Sequence, residues 1–331
     1  MTTRDGLVVA GVLGAILLLW LFALRLRRAW PFIVSVRRSM GRAVRDNPDV
    51  RAFLVRHPRV VRLAAGRLSR GSFMGLPLTM LAAAFGYFLV LYAESTLDFV
   101  SQGPLAQADL RIANLFASLR DPTLVRIFTA ITTLGHWRVV IILSLAASAL
   151  LALRGRGHYL PGLWLALVGN QVTVTLLKLA FARPRPDVAV YAESSFSFPS
   201  GHAASSAAFC GVVTYILVRE QLGPGLIAVI IGATLVALVG LSRLYLGEHF
   251  LSDVLNGYLV GGLWALLGIL LAEWLSTKVR KERPVPRPSW RRLAGLGVVG
   301  VASLALWLVV RDYEQALTVR VDAVDTIHSG W

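Results

Sequence analysis

Residues 196–218 read FSFPSGHAASSAAFCGVVTYILV. The turn-forming triplet Pro199-Ser200-Gly201 leads directly into His202, and no charged side chain follows within the stretch. An uncharged, mostly apolar run of roughly 18 residues is long enough to cross a bilayer as a helix. The stretch therefore predicts a membrane-spanning helix with small polar groups and a histidine at its mouth.

The same apolar pattern recurs along most of the chain. Of its 331 residues, 56% are hydrophobic and 16% are charged, whereas a soluble domain carries about 25% charged residues. The sequence therefore predicts an all-α, integral membrane helical bundle. An amphipathic lead-in at residues 110–135, ending at Gly135, precedes the third predicted span. The predicted spans are residues 6–24, 76–93, 138–153, 160–181, 201–218, 225–243, 251–275 and 293–310.

Three regions are predicted along the chain. Residues 1–74 form a membrane anchor followed by a basic cytoplasmic arm, and residues 75–275 form a core of six spans. Residues 276–331 form a basic linker, the last spanning helix and an outer tail. The linker contains the proline-rich segment KERPVPRPSW at residues 281–290.

The first region combines an apolar segment with a strongly basic one. Residues 6–24 are long and lack a small-residue cleavage site before the arginines that follow, so we expect an uncleaved anchor rather than a signal peptide. Residues 25–74 contain 13 arginines against two acids, Asp46 and Asp49, with apolar residues at roughly helical spacing. This pattern predicts amphipathic surface helices that bind anionic lipid headgroups.

The distribution of basic residues predicts the orientation in the membrane. The net charge is +16, but the basic residues cluster between apolar segments, which favours a membrane surface over a nucleic-acid partner. One set of connecting segments carries 23 Lys and Arg residues, and the opposite set carries 10. The richer set is predicted to be cytoplasmic, which puts residues 182–200 on the outer face. The richer segments are residues 25–74, 154–158, 219–224 and 276–292.

Three basic side chains lie at the outer ends of predicted spans. Lys178 begins the stretch KLAFARPRP, Arg185 lies within it, and Arg243 follows in SRLYLGEHFLSD at residues 242–253. Taken singly, each has an ordinary explanation as a snorkelling lysine, a surface-loop arginine or an interfacial anchor. Three cations converging on one mouth, with few acids among them, indicate an anion site.

The turn at the mouth of the 201–218 helix has the features of an anion-binding element. Gly201 allows close approach of the backbone to a ligand, and Ser200 adds a hydroxyl donor. The free N–H groups and the dipole of a helix N-terminus favour an anion. An ordinary capped helix start is the alternative that this turn alone leaves open.

Two histidines accompany these groups. His249 and Asp253 are four residues apart, so on a helix they share a face. A carboxylate that accepts from one imidazole nitrogen leaves the other nitrogen as a nucleophile, and His202 could donate a proton. Two histidines and one clustered acid among cations make a poor site for a divalent metal, so we predict neither a metal nor another cofactor.

The spacing of these residues resembles a known three-part signature. Lys178 is followed after six residues by Arg185-Pro186, then comes PSGH at residues 199–202. Ser242-Arg243, five residues, His249, three residues and Asp253 complete the pattern. It resembles the type 2 phosphatidic acid phosphatase superfamily, which also includes vanadium haloperoxidases and bacterial acid phosphatases. The resemblance covers roughly residues 76–275, leaving the first and last spans outside it.

The resemblance implies a role for each matching residue. His249 attacks phosphorus and forms a phosphohistidine, Asp253 orients His249, and His202 protonates the leaving oxygen and then activates water. The phosphate is held by Lys178, Arg185, Arg243, Ser200 and the backbone of Gly201.

These roles imply a metal-independent lipid phosphatase of the bacterial inner membrane, with its active site facing the periplasm. Undecaprenyl diphosphate, phosphatidic acid and phosphatidylglycerol phosphate are the expected substrates, and the sequence does not rank them. A lipid phosphotransferase of the same family and a non-catalytic lipid-binding or transport protein are the alternatives. A haloperoxidase shares the residues, but the spans argue against a soluble enzyme. The sequence gives no oligomeric state.

Overall fold

The computed structural model describes the chain in segments, which fall into two units. The units are residues 1–76 and 77–331, and each is described by itself. The predicted span at 6–24, the proline-rich linker at 281–290 and the tail beyond residue 311 lie outside the described residues. The described residues are 25, 28–32, 34–36, 38–39, 42–43, 46–69, 75–101, 103–191, 193–278 and 293–311.

The first unit contains two short helices in the basic arm. Helix α1 (Pro48–Arg56) begins at the N-cap Asn47, whose side chain accepts from Asp49 N at 2.8 Å. Helix α2 (Pro58–Arg67) follows after the single residue His57. The two helices are separate because Pro58 disfavours helical geometry at the residue before it. The predicted helices are thus present in this part of the arm, and their binding to anionic headgroups stays a prediction.

The described residues of the second unit form helices joined by turns and loops, with no strand among them. A single 3₁₀ turn, Gly157–Tyr159, precedes α7. The helices are α3 (Leu76–Val100), α4 (Pro104–Ser118), α5 (Pro122–Thr133), α6 (Trp137–Leu153), α7 (Leu160–Phe181), α8 (Gly201–Arg219), α9 (Gly225–Tyr245), α10 (Leu251–Lys278) and α11 (Leu293–Arg311).

Six of the described helices are long and apolar enough to cross a membrane. They are α3, α7 with its 3₁₀ turn, α8, α9, α10 and α11. Helices α5 and α6 qualify together as a seventh span, bent by 45° at the break between them. The predicted all-α membrane bundle is confirmed, and the core has six spans when the bent pair is counted as one.

The bent span corrects the sequence prediction, which took residues 138–153 as a span and 110–135 as one lead-in. The lead-in is divided between α4 and α5, because the Asp121 side chain caps the backbone N–H groups of Thr123 and Leu124 and Pro122 starts the new helix. Proline is favoured in the first turn of a helix, where its missing N–H costs nothing.

Helix α10 packs closely against α8 through glycines. A Cβ at Gly261 would lie 2.2 Å from the carbonyl oxygen of Ala204, and one at Gly257 would lie 2.6 Å from that of Ser200. Small residues permit such close backbone approach between spanning helices. The approach brings the start of α10 beside the start of α8, where Ser200 N donates to the carbonyl oxygen of Asp253 at 3.0 Å.

Candidate active site

A cavity of about 780 Å³ opens at the end of the bundle where α7 and α9 end and α8 and α10 begin. Successive spans run in opposite directions, so these four ends meet at one level. The structure brings all eight predicted site residues to this end. Five of them line the cavity: Lys178, Arg185, Gly201, His202 and His249. The other three, Ser200, Arg243 and Asp253, are fully buried beside it.

The side chain of Arg243 is fully buried in the wall behind the cavity. Its Nη1 donates to the hydroxyl of Tyr191 at 2.6 Å and to Thr132 Oγ1 at 3.2 Å. These contacts fix the guanidinium group in one orientation. The arginine predicted to bind an anion is therefore a rigid, desolvated donor whose charge is weakly screened by water.

Lys178 and Arg185 are both held by the segment of residues 193–196. Lys178 Nζ donates to Ser195 Oγ at 3.0 Å and to the carbonyl oxygen of Phe196 at 2.7 Å. Arg185 donates from Nε to the Ser195 carbonyl oxygen at 2.8 Å and from Nη2 to Ser195 Oγ at 2.9 Å. A serine that the sequence did not single out thus links two of the three predicted anion-binding cations.

Glu193 joins the two arginines, and the sequence prediction missed it. Its Oε2 lies 2.5 Å from Arg185 Nη2, and its Oε1 lies 3.0 Å from Arg243 Nη2. Burial raises the pKa of this carboxyl group, but the charges of Arg243 and Arg185 outweigh burial and lower the pKa to about 2. Glu193 is therefore ionised across the physiological range and already fills the role of an anion between the two guanidinium groups.

A second carboxyl group, Glu248, lies behind the arginines and is fully buried. Its Oε2 is 3.2 Å from Arg185 Nη1 and 3.7 Å from Arg243 Nη2, and Tyr191 N donates to Oε1 at 3.2 Å. Burial raises its pKa to about 7, and the two arginines offset this only in part. Glu248 therefore changes charge near neutral pH, directly beside the candidate anion site.

We expect anion affinity to rise as the pH falls through about 7. Because the folded-state pKa is raised, Glu248 is neutral below that pH and no longer compensates the positive charge of the two arginines. Because the pKa of Glu248 is higher in the folded than in the unfolded protein, the folded protein loses stability as the pH rises from 4.5, the ordinary pKa of this group, to about 7. The measurement is the increase in Tm produced by sulfate, whose charge is constant between about pH 6 and about pH 8.

Glu248→Gln is the matched variant for this prediction, because it keeps the shape of the side chain and removes the titration. Its response to sulfate should vary less with pH than that of the parent protein. Equal pH dependence in the two proteins would show that another group controls the effect.

His249 and Asp253 lie side by side, but His249 precedes α10, which begins at Leu251, so the pair does not share a helix face. His249 Nδ1 is 3.6 Å from Asp253 Oδ2, longer than a hydrogen bond, and such contacts often tighten only when substrate is bound. Burial, followed by the charges of Arg185 and Arg243, lowers the pKa of His249 well below its ordinary value. The imidazole is therefore neutral, and its Nε2 lies 3.4 Å from Arg185 Nη1, on the side away from Asp253.

Arg183 fixes Asp253, and the sequence prediction missed this contact as well. Arg183 Nη1 donates to Asp253 Oδ1 at 2.6 Å, and its Nη2 donates to Asp109 Oδ2 at 2.8 Å. Asp109 is buried on α4 and also accepts from Ser252 N at 2.9 Å. Phe250 N donates to the second oxygen of Asp253 at 2.9 Å. Asp253 is thus held through both of its oxygens, with one of them directed at His249.

The mouth of α8 presents buried polar atoms that lack partners within the described part of the chain. Ser200 is the N-cap residue, but its hydroxyl makes no capping hydrogen bond, and its Oγ and the Nε2 of His202 are buried without a partner. Buried polar atoms in native proteins are nearly always hydrogen-bonded. These two atoms, beside a helix N-terminus and a cavity, have the arrangement expected of groups that bind an anionic ligand.

The side chains around the cavity do not form a metal-binding cluster. Within the described segments, no group of three or more His, Cys, Asp and Glu side chains is placed to hold a metal ion. The nearby acids Glu193, Glu248 and Asp253 are engaged by arginines instead. The arrangement suits an anion, and independence from metal stays a prediction.

Comparisons with known proteins point to one family. Residues 160–277 match the model of the PAP2 superfamily. The chain is 32% identical over 212 residues to phosphatidylglycerophosphatase B of Bacillus subtilis, which covers 60% of this chain and 96% of that protein. It is also 32% identical over 174 residues to an uncharacterized 22.5 kDa protein in the cps region of Klebsiella pneumoniae, covering 51% of this chain and 78% of that protein.

The fold comparison agrees. The crystal structure described as the first transmembrane PAP2 type phosphatidylglycerolphosphate phosphatase, from Bacillus subtilis, superimposes with a TM-score of 0.50 at 30% sequence identity. The match covers 61% of this chain and 98% of that one.

Proposed function

Because the chain belongs to the PAP2 superfamily, we propose that it releases phosphate from a membrane lipid through a phosphohistidine formed on His249. The family resemblance predicted from the sequence is confirmed. The observation that carries the proposal is the meeting of a neutral histidine, a cationic wall and polar atoms without a partner among the described residues at one cavity.

The first step of the proposed reaction transfers the phosphoryl group to the protein. His249 Nε2 attacks phosphorus, since Nδ1 faces Asp253, and the bond from phosphorus to the lipid oxygen breaks. His202, at the cavity wall, gives a proton to that leaving oxygen. The imidazole of His249 becomes a cation as it is phosphorylated, and the carboxylate of Asp253 stabilises it.

The second step returns His249 to its starting state. A water molecule attacks phosphorus while His202 takes one of its protons, and the bond between phosphorus and nitrogen breaks. Inorganic phosphate is released. Phosphoryl transfer depends on positioning and charge neutralisation more than on covalent chemistry, and Lys178, Arg185 and Arg243 supply both.

A lipid substrate is supported by the position of the cavity. Its wall includes Val174, Thr175 and Leu179 of α7, a helix that qualifies as a membrane span. A lipid whose phosphate group lies at the end of the bundle would have its apolar chain beside this helix. We propose phosphatidylglycerol phosphate, phosphatidic acid and undecaprenyl diphosphate as substrates, the first being named in the similar Bacillus subtilis proteins.

The direct test is phosphate release by the purified protein across a panel of these three lipids. We expect release from at least one of them. Transfer of phosphate to an added lipid acceptor instead of water would indicate a phosphotransferase. Binding of the lipids without any transfer would replace the proposal with a lipid-binding protein.

We expect phosphate release to persist in chelator and to be inhibited by vanadate. The reason is that three cations take the place of a metal ion in neutralising the phosphoryl group. Vanadate mimics the five-coordinate phosphorus of the transition state. The measurement is the initial rate with and without chelator and over a vanadate titration. Activity that disappears in chelator and is restored by one divalent ion would instead indicate a metal hydrolase.

We further propose that the active site faces the periplasm, from the excess of Lys and Arg on the opposite segments. Asp187→Cys, an exposed position beside the site, and Ala65→Cys, an exposed position on α2, test this in a Cys210→Ala background. A membrane-impermeant maleimide should label the first in intact cells and the second only after the cells are opened. The reverse pattern would place the active site in the cytoplasm.

A further inference from the structure

All three cations proposed to hold phosphate are already bound to one stretch of the protein, residues 193–196. Lys178 and Arg185 share the side chain of Ser195, and Arg185 and Arg243 share the carboxylate of Glu193. A substrate phosphate that needs the same donors therefore meets groups that are already occupied.

The two carboxyl groups beside the arginines differ in their access to the substrate. Glu193 lines the cavity and its side chain is 23% exposed, whereas Glu248 is fully buried and lies outside the cavity wall. Glu193 is thus on the substrate side of the guanidinium groups. Its two oxygens lie 2.5 Å and 3.0 Å from their guanidinium partners, so both make charge-assisted hydrogen bonds of the kind that phosphate makes with arginine.

We propose that Glu193 is an affinity-determining residue whose carboxylate competes with phosphate for Arg185 and Arg243. The inference rests on the proposed function, because it takes phosphate to be the ligand of this site. Binding of substrate is then an exchange, in which the carboxylate leaves the two arginines as the phosphate reaches them. No covalent bond is made or broken in the exchange.

The burial of Arg243 explains why a carboxylate occupies the site when phosphate is absent. Removing one member of a buried ion pair is strongly unfavourable, because the other charge remains uncompensated. In the absence of phosphate, Glu193 supplies the missing negative charge. Since the carboxylate is tethered to the protein, it is available to return as inorganic phosphate departs, so it lowers the affinity of a strongly cationic site for its own product.

The test is inhibition by inorganic phosphate and by vanadate in Glu193→Gln. Charge-assisted hydrogen bonds to both arginines are weakened in this variant, so we expect both inhibition constants to fall by about tenfold. Glu193→Asp retracts the carboxylate by one methylene and should give a smaller decrease. Asp187→Asn, the same change of charge at an exposed position of the same loop, should leave both constants unchanged.

A measurement without turnover separates this inference from the proposed function. The increase in Tm produced by inorganic phosphate, relative to each unliganded protein, should be larger in Glu193→Gln than in the parent. If this larger increase is found but the parent protein releases phosphate from none of the lipids, the competition by Glu193 is supported and the proposed function is wrong. If the parent protein hydrolyses lipid but both Glu193 variants have the same inhibition constants and the same phosphate-induced increase in Tm as the parent, the competition by Glu193 is wrong and the proposed function stands.

Discussion

His249→Ala is expected to abolish both phosphate release and the phosphorylation of the protein. In the proposed reaction the neutral imidazole of His249 is the nucleophile, and alanine supplies no atom that can attack phosphorus. Its Nδ1 faces Asp253 and its Nε2 lies beside Arg185, so the substitution removes the nitrogen proposed to attack from this position. Loss of the covalent intermediate removes both steps of the proposed reaction.

The measurement is the trapping of radiolabelled phosphate on the protein, with an alkaline quench because the phosphorus–nitrogen bond of phosphohistidine is labile in acid. His158→Ala is the matched control, since His158 lies in the 3₁₀ turn at the opposite end of the bundle. It should trap and release phosphate as the parent does. Labelled His249→Ala protein would move the nucleophile to another residue.

The sequence predicted the constituents of the candidate site because their positions follow from spacing and span parity. Spans that alternate in direction bring the ends of α7 and α9 to the starts of α8 and α10. The short spacing of His249 and Asp253 keeps both near the start of α10, His249 just before the helix and Asp253 in its first turn, with their side chains 3.6 Å apart. Local pattern and topology were therefore sufficient to identify which side chains meet.

The partners of these side chains could not be predicted in the same way. Arg183 pairs with Asp109, which is 74 residues away on α4, and no periodicity links an arginine in a loop to one acid in a distant helix. Glu193 lies in a loop without a repeating pattern, where the sequence indicated only an outer connection. Both pairings depend on how the helices pack, which the motifs do not encode.

The bent span has a similar explanation. Residues 138–153, taken alone, make a helix of about 24 Å, shorter than the roughly 30 Å of a bilayer core. The structure completes the span with α5, across a break at which the side chain of His136 caps α6 by accepting from Arg138 N at 3.4 Å. The sequence showed Gly135 as an end but not that the helices on either side of it together make one span with a bend of 45°.

His202→Ala is expected to lower the rate of lipid hydrolysis by about 10²–10⁴-fold, the usual contribution of general acid–base catalysis. His202 lines the cavity at the start of α8 and its buried Nε2 has no partner among the described residues, as expected of a group that acts on a substrate atom. In the proposed reaction it protonates the lipid oxygen that leaves in the first step. An alkoxide leaving group needs that proton, whereas the phenolate of an activated aryl phosphate does not.

The two substrates therefore separate the role of His202 from that of His249. With an activated aryl phosphate, His202→Ala should still form phosphorylated protein at a rate close to that of the parent. The phosphorylated form should then accumulate, because the same histidine is needed to activate water in the second step. His249→Ala should show no phosphorylation with either substrate. If His202→Ala forms no phosphorylated protein with the aryl phosphate while His249→Ala does, the two histidines have exchanged roles, and the attacking nitrogen is at the mouth of α8.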